Sequence, residues 1–89
     1  MNFLNLDLGH LGGGEIVRVD LSGVESDVML MNDHNVRSFA GGREAEYVGG
    51  HFKRSPAVLS VPKPGRWHAI VVPGFGGNVT AKVAVSRLN

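Results

Sequence analysis

The chain has 89 residues, 43% hydrophobic and 19% charged, with a formal net charge of +1, thirteen glycines and no cysteine. That length sets a single domain over residues 1–89 with one modest core, the composition excludes disorder, and the near-zero charge leaves no electrostatic footprint for nucleic acid or an anionic membrane. A disulfide framework and a thiolate site are excluded; residues 1–7 lack the basic and apolar regions of a secretion signal, and no apolar run approaches the ~20 residues of a membrane span, so a cytoplasmic protein is expected.

In chain order, residues 3–8 alternate, with Leu4, Leu6 and Leu8 on one face and Asn5 and Asp7 on the other, which predicts a half-buried strand. The run Gly9-His10-Leu11-Gly12-Gly13-Gly14 breaks it. Residues 15–21 alternate again, with Val17, Val19 and Leu21 inward. Ser22-Gly23 signals a turn, and residues 27–31 form a third strand with Val28 and Leu30 inward. Asn32-Asp33-His34-Asn35 is rich in capping residues, and residues 36–40 fit one or two helical turns closed by Gly41-Gly42 in a left-handed cap. Residues 44–48 and 52–53 read as a broken strand, with a bulge or bend at Gly49-Gly50 for which Gly50 is expected to need its missing side chain.

Residues 54–73 are the organising stretch. Two apolar, β-branched runs flank Pro62-Lys63-Pro64-Gly65, which predicts a central β-hairpin around Trp67, the single tryptophan. Residues 74–77 form a loop, and Val79, Ala81, Val83 and Val85 alternate with Thr80, Lys82, Ala84 and Ser86 in a last strand. The sum is an all-β fold: an antiparallel β-sandwich or small barrel of about seven strands with one short helix. If Leu59, Trp67, Ala69 and Val71 face the core, then Val58, Ile70 and Val72 need a second cover. That cover is the short helix around Val36 and Phe39 or another copy of the chain, and the exposed apolar face this implies points to a homodimer.

Each chemical motif has a plainer structural reading. The Gly9–Gly14 run resembles a phosphate loop, but a strand follows it where a phosphate site needs a helix N-terminus, and no Gly-Lys-Ser/Thr is present; it reads as a tight turn. His10, His34, His51 and His68 have none of the short spacings of a metal site. Pro64-Gly65-Arg66-Trp67-His68 is similar to the second cupin motif, but its proline is displaced by one and the first cupin motif is absent. No Gly-x-Ser-x-Gly elbow occurs. Tyr47, Phe52 and Trp67 read as core aromatics before they read as a stacking platform.

Several strings together are more specific: Asp7-Leu8-Gly9-His10-Leu11 with Gly13-Gly14-Glu15, Tyr47-x-Gly49-Gly50-His51, Arg54-Ser55-Pro56, and Gly65-x-Trp67-His68. Over nearly the whole chain they resemble the small bacterial family called domain of unknown function 1883. The resemblance implies a compact β-sandwich that stands alone or precedes a TIR domain in signalling or defence proteins, and it carries no activity. It marks His10, His51 and His68, with Arg54 and Trp67, as candidate ligand-binding residues.

The sequence therefore points to a bacterial binding or interaction module with a protein or small-ligand partner, and with neither a cofactor nor a metal, in preference to an enzyme. Two other readings stand beside it: a small metal- or ligand-dependent enzyme built on a His10/His51/His68 cluster, and a structural oligomer subunit. Convergence of the three histidines in space would favour the enzyme.

Overall fold

A computed structural model describes residues 2–75 and 77–87; Gly76, within the expected 74–77 loop, lies outside them. The elements run β1 (Leu4–Leu11), β2 (Ile16–Gly23), β3 (Ser26–Asn32), α1 (Asp33–Ala40), β4 (Val48–Phe52), β5 (Ala57–Ser60), β6 (Gly65–Pro73) and β7 (Val79–Ser86). They form two antiparallel sheets, one of order β1-β6-β3-β4 and one of order β5-β2-β7. The all-β, two-sheet fold with one short helix is the one the alternation predicts.

The core lies between the sheets. Val17 and Val19 from β2, Val28 and Leu30 from β3, Ala57 and Leu59 from β5, and Trp67, Ala69 and Val71 from β6 are all buried there. Leu4, Leu6 and Leu8 pack against them at one margin, together with Val79, Ala81 and Val83. Such burial follows the two-residue period of a strand, which sends alternate side chains to opposite faces.

β3 and β6 are apolar on both faces because a second, smaller core covers their far side. Met29, Met31 and Ile70 are buried there beneath Val36 of α1, with Phe3, Phe39 and Val72 at the rim. The rings of Phe3 and Phe39 meet edge to face at 5.2 Å. The helix starts three residues before the expected position, at Asp33, because the Asn32 side chain caps it: Asn32 Oδ1 accepts the Asn35 N–H at 2.9 Å. Gly42, at φ +75°, supplies the left-handed residue after the last turn.

Four expectations are corrected. Residues 54–73 are not a hairpin. β5 pairs with β2 in one sheet, and β6 pairs with β1 and β3 in the other. Pro62 and Pro64 have no N–H to close a hairpin ladder, so the chain arches from one sheet to the other. The arch is pinned where the Trp67 indole N–H donates to the Lys63 carbonyl at 3.0 Å. Consequently Val58 and Ile70 do not share a face. Val58 is exposed on the outer side of the three-stranded sheet, whereas Ile70 is sealed by α1 within the monomer, which removes the ground on which that face pointed to a dimer.

The bulge also lies elsewhere. Register is continuous from Ser26↔Phe52 to Leu30↔Val48, and it shifts instead between Asp7 and Gly9 in β1. There Gly9 sits at φ +72°, and its N–H donates to Asp7 Oδ1 at 2.8 Å. Residues 44–47 precede β4 and do not extend it.

Candidate functional site

The Gly-rich run after β1 is an anion cradle, and the chain fills it itself. The Gly12 and Gly13 N–H groups donate to the two carboxylate oxygens of Glu15, each at 2.7 Å. Glu15 is only 2% exposed, and Arg87 reaches its Oε2 at 3.5 Å. The Gly12 amide, seconded by Gly13 and by the Arg87 charge, holds the Glu15 carboxyl below its ordinary value despite burial.

The outer face of the four-stranded sheet carries two polar clusters. At the end where α1 begins, Arg66 bridges Asp7 at 3.2 Å and Asp33 at 3.4 Å. The His68 ring lies between Asn5 Oδ1 at 2.9 Å and Asp33 Oδ1 at 2.5 Å, and the hydrogen bond from His68 lowers the Asp33 carboxyl. At the other end, His51 holds a carboxylate on each ring nitrogen: Asp27 at 2.8 Å and Glu25 at 3.0 Å. The hydrogen bond to Glu25, then that to Asp27, raises its pKa.

These placements separate the histidines of the alternative, enzymatic reading. His68 pairs in register with Met31, and His51 with Asp27. The two rings are thus four residues apart along β3, about 13 Å at the usual strand rise, and two strands apart across the sheet. His10 is exposed and pairs in register with Arg66, nearer to His68 than to His51. Arg54 is exposed between β4 and β5, at the opposite end of the sandwich from Trp67. Among the described residues no group of three His, Cys, Asp or Glu side chains is arranged to hold a metal ion.

Trp67 does border a concavity. A cleft of about 240 Å³ is lined by Asn32, Asn35, Glu46, Tyr47, Val48, Pro62, Lys63 and Trp67. It adjoins a larger, more open depression of about 660 Å³, bordered by His34, Glu44 and Ala45, that shares Asn32, Asn35 and Glu46. Local chemistry shapes it. Asn32 ends β3 opposite Trp67, the Asn35 side chain draws in the following loop by accepting the Glu46 N–H at 2.9 Å, and the proline arch supplies the far wall. Tyr47 is 52% exposed at its mouth. The Asn32 and Asn35 side chains are occupied with each other and with backbone. Among the described residues, no hydrogen bond or ion pair engages the Glu46 carboxylate or the Lys63 ammonium.

Sequence reasoning named Trp67 and Tyr47 but not their polar companions. The capping-rich string at Asn32 and the Pro-Lys-Pro-Gly arch were the available signals. The remaining aromatic, Phe52, lies at the far end of β4 and packs against the main core.

No curated protein and no solved structure matches the chain. A family model described as domain of unknown function (DUF1883) matches residues 1–89, the whole chain. The chain therefore belongs to the domain of unknown function 1883 family.

Proposed function

We propose that this is a cytoplasmic bacterial binding module, and that its ligand or partner segment seats in the cleft between the start of α1 and the Pro62–Pro64 arch. The observation that carries this reading is the meeting of an exposed aromatic, Tyr47, with an uncommitted carboxylate, Glu46, and an uncommitted ammonium, Lys63, around one concavity. Apolar walls with a few polar groups at the rim are the usual composition of a small-molecule or side-chain pocket. The matching ligand has a flat or apolar middle for Tyr47, a cationic or donor group for Glu46 and an anionic or acceptor group for Lys63. A zwitterionic small molecule or a short peptide segment has that chemistry. A signalling or defence setting is consistent with the TIR domains that some members of the family precede.

A thermal-shift screen of amino acids, dipeptides and aromatic zwitterions tests the reading. A hit should raise the melting temperature of the natural chain. It should lose that effect in Tyr47→Ala and in Glu46→Gln/Lys63→Ala, variants whose unliganded melting is expected to stay close to that of the natural chain because these side chains are exposed. A hit whose amide chemical-shift changes map away from residues 32–35, 46–48 and 62–67 would refute this site.

A further inference from the structure

A sandwich of two open sheets has four edge strands, and three of them are blunted against pairing with another chain. β1 carries the bulge at Asp7–Gly9. β4 spans only Val48–Phe52 and contains Gly49 at φ +128°. β5 has four residues, with Pro56 before it and Pro62 shortly after it. Bulges, short strands and prolines are the usual means by which an edge avoids association.

β7 has none of these. Its register against β2 runs without a break from Ile16↔Ser86 to Gly23↔Val79, and its other edge pairs with no strand among the described residues. Its inward row is incompletely covered: Val79, Ala81 and Val83 are half-buried, and Val85 is 40% exposed.

We infer that β7 pairs antiparallel with β7 of a second copy, joining the two three-stranded sheets into one continuous sheet across a two-fold axis at Val83. The strand's own pattern selects this occupant and register. Keeping the inward row inward leaves two long self-pairings. One pairs residues 79–85 and sets Lys82 directly opposite the partner subunit's Lys82, a like-charge contact that destabilises a sheet. The other pairs residues 80–86. It sets Val83 against the partner's Val83, Ala81 against the partner's Val85, Thr80 against the partner's Ser86 and Lys82 against the partner's Ala84. No like charges meet, and the exposed Val85 gains a cover. The contact is isologous and closes at two subunits.

The absence of native cysteine makes the register directly readable. Paired residues on an antiparallel two-fold lie within the Cα separation a disulfide spans. Val83→Cys should therefore cross-link to dimer under mild oxidation, while Ala81→Cys, displaced from its own copy by four residues of strand, should stay monomeric. Sedimentation equilibrium gives a second readout: the natural chain should form dimers below ~100 μM. Ala84→Lys, which sets a new positive charge against Lys82 twice per dimer, should weaken association about tenfold, and Ala84→Glu should tighten it. Because Arg18 of β2 pairs directly opposite Ala84, the melting temperature of both variants is taken at dilute, monomeric concentration to separate the effect within the chain. A natural chain that stays monomeric, cross-linking of Ala81→Cys as readily as Val83→Cys, or association indifferent to the charge placed at position 84 overturns the inference.

Discussion

A side chain at position 49 has nowhere to go: its Cβ would sit 2.1 Å from the Val28 carbonyl oxygen, on a backbone at φ +128°. At Gly50 the added atom meets nothing within 4 Å. Gly49→Ala should therefore cost roughly 1–3 kcal/mol, and Gly50→Ala well under that, as urea midpoints will show. The demand expected at Gly50 falls on other glycines, on Gly49 and also on Gly74, where a Cβ would lie 2.6 Å from the Glu25 carbonyl oxygen. Adjacent glycines look alike in a sequence; only the partner strand distinguishes them. Two titrating residues act on opposite limbs of the pH profile. Glu15 is lowered from 4.5, so its contribution to stability is complete above 4.5 and is lost as pH falls through the lowered value. His51 is raised from 6.5, so its contribution is complete below 6.5 and is lost as pH rises through the raised value. Glu15→Gln should flatten the acid limb of unfolding midpoints measured from about pH 3 to about pH 8, and His51→Gln the upper limb. Because His51 is exposed, the second effect is the smaller.

Among the elements, the arch between β5 and β6 is where the sequence misled. Alternation identifies a strand and its buried face, and for Leu59, Trp67, Ala69 and Val71 it did so correctly. It carries no record of whether two successive strands meet edge to edge or face to face, since both arrangements bury the same residues. The prolines that looked like hairpin punctuation in fact forbid the closing ladder. The helix was legible from its caps, and its role as the cover for Ile70 was one of the two covers the pattern allowed. The cleft was the least legible, because Glu46 and Lys63 are ordinary charged residues until the fold brings their loops together. Trp67 links these scales, filling the core and tying down the arch. Trp67→Ala should cost about 3–5 kcal/mol, comparable with the whole stability of a small domain. Trp67→Phe keeps much of the burial but removes the bond to the Lys63 carbonyl, and should cost nearer 1–2 kcal/mol. Chemical denaturation separates the two.

In the whole molecule, nearly every strand finds its neighbour far away in sequence. β1 waits for β6, and β2 for β7; only β3 and β4, joined through α1, pair with no other strand between them in the chain. A chain divided between Lys53 and Arg54 would leave β1, β3 and β4 on one piece, with the gap between β1 and β3 shaped for β6 of the other. The second piece would hold β5 and β7, with a gap shaped for β2 of the first. Each piece thus lacks the middle strand of a sheet and carries the middle strand its counterpart needs, like two combs with meshed teeth. Neither should fold alone, since each would expose apolar strand edges on both sides of a missing centre. Mixed, they should recover the far-UV spectrum and the buried Trp67 fluorescence of the uncut chain, and independent folding of either piece would contradict this topology. The interleaving that hides strand pairing from a sequence reader makes the domain a natural two-part lock, each half completing the sheet that the other begins.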